Sequence, residues 1–153
     1  MTNHPLSRRI AEVLELAPDS RAIEYDREWS SWAQLGVAAR RVAGGVAPAT
    51  RVGILLRNTP AHVAAVLGVL LAGGCIVVIN PSRGDERTRG VINDLDLPIV
   101  IGTAEDVAQL VGPDSPATVV TIAHLDDAPQ VRPGRRGRSP VRPAGLAVRM
   151  LTS

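Results

Sequence analysis

The stretch RVGILLRNTPAHVAAVLGVLLAGGCIVVINP, residues 51–81, decides the fold. Val52-Gly-Ile-Leu-Leu56 is an apolar run of strand length. Asn58 and Thr59 offer oxygens that can cap a helix, and Pro60 suits its first turn, where a missing N–H costs nothing. The spacing predicts a helix over Ala61–Ala72, stopped by Gly73-Gly74, and a second continuous apolar strand over Cys75–Ile79, ended by Asn80-Pro81. No charge occurs over the 17 residues Val63–Ile79. That length lies at the lower edge of a membrane span and the glycine pair breaks it, so a buried helix followed by a buried strand is expected, and no membrane span. Two continuous strands joined by a helix are the unit of a parallel sheet covered on both faces.

Toward the N-terminus, Ser7–Ala17 carries apolar residues at helical spacing and stops at Pro18, which cannot continue a helix. Ala22–Tyr25 alternates, and Asp26-Arg27 supplies a polar turn before Trp29, the pattern of a short hairpin. Ser31 and Gln34 have the spacing of a capping box and open an amphipathic helix running to Val46, weakened at its end by Gly44-Gly45. Toward the C-terminus, a polar helix over Asp85–Leu95 leads to a strand at Ile99–Ile101, a helix at Ala104–Val111 and a strand at Thr118–Ile122. The expected class is therefore α/β: a partial doubly wound, mainly parallel sheet flanked by helices, over residues 1–127. Residues 128–144 interleave Pro129, Pro133, Pro140 and Pro143 with Gly134, Gly137 and five Arg, the composition of a linker or exposed loop. Residues 145–153 resume a strand pattern in Leu146–Met150 and run out through Leu151, Thr152 and Ser153.

Composition narrows the function classes. With 45% hydrophobic residues in 153, a buried core is well supplied, but it contains no Phe, one Tyr (Tyr25) and two Trp (Trp29, Trp32). Aromatic platforms for stacking nucleic-acid bases are nearly absent. All 17 basic residues are Arg, which fits codon bias in a GC-rich bacterial genome rather than a binding device. The single cysteine, Cys75, sits in an apolar run with no neighbouring base and reads as an inert core thiol, and it excludes an intramolecular disulfide framework. Met1–Arg9 lacks the apolar core of a signal peptide, so a cytoplasmic location is expected. His4, His62 and His124 are too scattered to suggest a metal site, and each reads as structural or solvated. Arg83-Gly84-Asp85 is read as a coincidental tripeptide. No catalytic residue and no metal ligand is assigned.

Three segments in this order resemble the adenylate-forming acyl-CoA synthetase family. They are Ser31-Trp-Ala-Gln-Leu35 ahead of an amphipathic helix, the block Arg51–Pro81, and Ala147-Val-Arg-Met-Leu-Thr-Ser153. In that family the last strand runs directly into a Gly/Ser/Thr-rich loop that holds the ATP phosphates, and Thr152 and Ser153 match its first two positions. A loop leaving the carboxyl end of a parallel strand, with small hydroxyl residues and converging backbone N–H groups, suits phosphates physically. The resemblance implies a reaction in which a carboxylic acid, here a fatty acid, attacks the ATP α-phosphate to give an acyl-adenylate, and CoA then takes the acyl group. It also implies ATP and Mg as the parent family's cofactors. A Lys assists the first step in the family, and this sequence contains no Lys. The adenine, ribose and magnesium motifs of the family have no counterpart within residues 1–153, so the 153 residues are expected to be inactive alone, to bind ATP and Mg poorly, and to self-associate or take a protein partner through uncovered sheet surface.

Two other function classes fit parts of the chain. Residues 132–153 carry six Arg and no acid, against 11 Arg and 15 acids in residues 1–131. A basic stretch from Arg132 to Arg149 could make this a small basic protein that binds nucleic acid, through its phosphates, or another partner. The missing aromatics argue against specific nucleic-acid recognition. The other class is a non-catalytic α/β interaction module, distinguished from a ligase segment by independent stability.

Overall fold

The computed structural model describes residues 5–113 and 115–134, together with the backbone of 148–150. The chain opens with helix α1 (Pro5–Leu16) and an antiparallel hairpin of β1 (Arg21–Tyr25) and β2 (Glu28–Ser31). The hairpin turn is the pair Asp26-Arg27, both at positive φ (51° and 66°), which gives the twist that a two-residue connection needs. Helix α2 (Trp32–Ala43) starts with the expected capping box: Ser31 Oγ accepts from the Gln34 N–H, and Gln34 Oε1 accepts from the Ser31 N–H at 2.8 Å. It ends before Gly44-Gly45, three residues short of the expected Val46.

Strand β3 (Arg51–Leu55) is buried throughout, helix α3 (Pro60–Leu71) is capped by Thr59 with Pro60 in its first turn, and β4 (Cys75–Ile79) follows the glycine pair. Then come α4 (Asp85–Leu95), β5 (Ile99–Thr103), α5 (Ala104–Leu110), β6 (Thr118–Ile122), β7 (Gln130–Arg132) and β8 (Val148–Met150). β5 runs two residues past the expected Ile101. The six strands lie in the order β7-β6-β5-β3-β4-β8, parallel except for β7. β7 falls inside the stretch expected to be loop. Three residues of that stretch pair antiparallel with the edge of β6, because an open strand edge is a ready partner for any extended chain returning beside it.

Alternation along the strands divides the core. Val52, Ile54, Ile76, Ile99 and Ile101 face α2 and α3, whereas Leu55, Val77, Ile79 and Val100 pack with Ile92 of α4 and Val107 and Leu110 of α5. The reversal of direction, from β3 rightward to β4 and then back across to β5, sends α3 to one face and α4 and α5 to the other, as right-handed crossovers require. Helix α3 is apolar on all sides because the sheet lies under it and α1 and α2 lie over it. Its approach to α2 is close enough that a Cβ on Gly68 would stand 2.4 Å from the Ala39 carbonyl oxygen and 2.8 Å from Val42 Cβ. Ser7 Oγ donates to the Leu70 carbonyl at 2.6 Å and ties α1 to the end of α3. The buried Arg51 donates to the carbonyls of Leu95 (3.0 Å) and Asp96 (3.3 Å), placing a cation at the carboxyl end of α4.

Candidate functional site

The carboxyl-terminal ends of β3, β4, β5 and β8 share one edge of the sheet, since these strands are parallel neighbours. That edge is where an open α/β sheet offers ligands a crevice, at the point where successive connections leave to opposite faces. Here the point lies between the adjacent strands β3 and β5: β3 leads into α3 on one face, and β5 into α5 on the other.

An ion pair spans it. Arg57, two residues past the end of β3, donates from Nε to Asp106 Oδ2 at 2.6 Å and from Nη2 to Asp106 Oδ1 at 2.8 Å. Asp106 stands in the first turn of α5, where Thr103 Oγ1 accepts its backbone N–H at 3.2 Å. Hydrogen bonding from Arg57 holds the Asp106 carboxyl below the usual aspartate range despite its burial, and the same bond raises the Arg57 pKa, keeping the guanidinium charged. Beside them His62, buried at 1% exposure, places Nδ1 2.6 Å from Thr59 Oγ1, while its buried Nε2 makes no hydrogen bond of good geometry among the described residues, although the Leu55 backbone lies close enough to favour its protonated form. Burial lowers the His62 pKa; Asp106 opposes the shift and Arg57 adds to it.

At the neighbouring strand end, Asn80 Oδ1 accepts from the Ser82 N–H at 2.9 Å, and Gly84 takes a left-handed conformation (φ 97°) before α4. β8 lies parallel beside β4, with Ile76 opposite Val148 and Val78 opposite Met150. Thr152 and Ser153 follow two and three residues later and lie outside the described residues, as do His4 and most of the Arg-rich stretch. Cys75 is a buried cysteine outside any disulfide, and His124 is exposed, with Nδ1 3.6 Å from Asp126. Among the described residues no helix is long and apolar enough to cross a membrane.

The sequence profile of the AMP-binding enzyme family matches residues 10–153. The chain belongs to that family. The chain spans only a small part of curated relatives that it matches, 2% of Bacitracin synthase 1 and 19% of Syringomycin synthase SyrB1 of Pseudomonas syringae. AMB antimetabolite synthetase AmbB of Pseudomonas aeruginosa is 36% identical over 68% of this chain and 8% of its own. Bacitracin synthase 1 of Bacillus licheniformis is 30% identical over 82% of this chain and 2% of its own. Among solved structures, apo MatB from Rhodopseudomonas palustris superposes with a TM-score of 0.67 at 23% identity, over 99% of this chain and 33% of that one. The ATP-bound form of MatB aligns at 26% identity and a TM-score of 0.61, over 78% of this chain and 25% of that one. The fold expected from the sequence, a mainly parallel sheet flanked by helices, is thus that of AMP-binding enzymes. A nonribosomal peptide synthetase of Neosartorya fischeri is 26% identical over 94% of this chain, and a benzoate CoA ligase from Burkholderia xenovorans shares the fold at 21% identity and a TM-score of 0.66, so membership is established at the level of the AMP-binding family.

Sequence reasoning missed the Arg57–Asp106 pair. The partners stand 49 positions apart, and Asp106 looks from its neighbours like any acid in the first turn of a helix. The capping threonine before each helix, Thr59 and Thr103, was the signal available, because it marks where a strand end turns toward the crevice.

Proposed function

We propose that these residues form the N-terminal part of an ATP-dependent ligase that converts a carboxylic acid to its acyl-adenylate and passes the acyl group to a thiol. The observation that supports this reading is β8, laid parallel beside β4 so that its carboxyl end opens onto the edge that carries the β3–β5 crevice. In this reading Thr152 and Ser153 begin the loop that would hold the ATP phosphates, through backbone N–H groups and hydroxyls. Mg would accompany ATP, supplying charge neutralisation at the phosphates. The acid is a carboxylic acid delivered to CoA or to a carrier-bound thiol, with fatty acids heading the panel to be tried.

The coding sequence after codon 153 is one test. Continuation as G-T-T-G-x-P-K supports the ligase, and unrelated sequence favours a free-standing interaction module. The activity test is acid-dependent ATP–pyrophosphate exchange by a polypeptide that includes the downstream sequence, with fatty, aryl and amino acids as candidates. Absence of exchange with all three classes would refute the reading. The polyanion-binding alternative gains nothing from Arg132, whose Nη2 is engaged with the Gly112 carbonyl at 2.9 Å.

A further inference from the structure

Arg57 is held in a way that leaves it more than a structural tie. Its bidentate contact with Asp106 uses Nε–H and one Nη2–H, so among the described residues three of the five guanidinium donors remain. The side chain is 43% exposed while the carboxylate that orients it is 3% exposed. A buried acid thus fixes the plane of a cation whose outer edge meets solvent at the mouth of the β3–β5 crevice. Preorganised donors of this kind suit a forked oxyanion, because their orientation has been settled before the ligand arrives. Asn58, exposed and next in the chain, adds an amide on the same loop. Glu105 opposes: it is exposed and close enough to Arg57 to act on its charge.

We propose that Arg57 anchors an oxyanion-binding site at the mouth of the β3–β5 crevice, taking a phosphoryl or carboxylate group. The site lies on the same sheet edge as the carboxyl end of β8, two strands away from it in the order β3-β4-β8, and it does not depend on the adenylation reading, since binding here is detected without turnover.

The test is a titration of the full 153-residue chain, labelled with nitrogen-15, with inorganic pyrophosphate at low salt. The Arg57 Nε–H resonance and the Asn58 and Thr59 amides should shift saturably, and sodium chloride at matched ionic strength should leave them in place. Acetate that competes for the same resonances assigns the carboxylate as well, and acetate that does not compete assigns the phosphoryl group. Arg57→Gln alone would strand a buried carboxylate, so the variant used is R57Q/D106N, in which both charges go. It should lose the shifts at Asn58 and Thr59, whereas Arg89→Gln on α4 should keep them. Glu105→Gln should tighten binding at least twofold by removing the opposing charge, and this arm decides the matter if the double variant does not fold. Equal shifts with sodium chloride, shifts that survive R57Q/D106N, or unchanged affinity in E105Q would each overturn the site.

Discussion

Arg57 and Asp106 share hydrogen bonds but not an environment, since the carboxylate is 3% exposed and the guanidinium 43%. Removing one partner therefore costs differently from removing the other. Arg57→Gln leaves a buried charge without its counterion, and urea denaturation should show a loss of about 2–3 kcal/mol. Asp106→Asn leaves an arginine that water reaches, and the loss should be about 1 kcal/mol or less. Equal losses would mean that the carboxylate is solvated in solution. The same residues set the response to acid. The pKa of Asp106 is lowered in the fold, so its stabilising contribution is present above the unfolded value near 3.8 and fades as pH falls through the folded value. His62 acts at higher pH: burial holds it below 6.5, so the unfolded chain takes up a proton there that the folded chain resists, and stability falls as pH drops below about 6.5. Between pH 8 and pH 5.5 the decline in the urea midpoint should be smaller in His62→Gln than in the parent, whatever the substitution costs at pH 8. An identical decline would assign the titration to another group.

Two elements carry the packing of the N-terminal half, and each has a position that tests it. The capping box of α2 satisfies two backbone N–H donors reciprocally, those of Gln34 at 3.2 Å and Ser31 at 2.8 Å, where the chain leaves the hairpin. Ser31→Ala should lower stability by about 1 kcal/mol without changing the denaturant slope, because the helix start loses a partner while the surface exposed on unfolding stays the same. The α2–α3 contact is less forgiving. A methyl on Gly68 has nowhere to go, with the Ala39 carbonyl oxygen at 2.4 Å and Val42 Cβ at 2.8 Å. Gly68→Ala improves helix propensity on paper, yet it should destabilise by about 1–3 kcal/mol, because the helices must part to admit it. Thermal unfolding decides between the two effects, and a raised Tm would show that the helices separate without cost.

At the scale of the whole molecule, a polypeptide of residues 1–153 should show no acid-dependent pyrophosphate exchange and no acyl-CoA formation. It contains no Lys, and the loss of even one charge-stabilising donor typically costs about a hundredfold in rate. Measurable turnover by these residues alone would overturn that expectation. The same polypeptide has an apolar groove of about 330 Å³ between α1, the hairpin, α2 and α3, walled by Ile10, Val13, Ile23, Trp32 and Leu67. Sedimentation should therefore reveal self-association, and a sharp monomeric unfolding transition would favour a free-standing module instead. The strands and helices themselves were legible because residues 51–81 alternate caps, Pro and Gly with continuous apolar runs, and such signals are local. β7 was not: Gln130, Val131 and Arg132 sit among Pro, Gly and Arg, and they become a strand only because the edge of β6 is there to pair with them. By itself the sequence determined the α/β class, most of the element boundaries and the family resemblance, all of which rest on the order of neighbouring residues. Strand order, the crevice between β3 and β5, and the Arg57–Asp106 pair that spans it were decided only in the tertiary structure, because they join residues that no local pattern relates and that meet only when the sheet has formed.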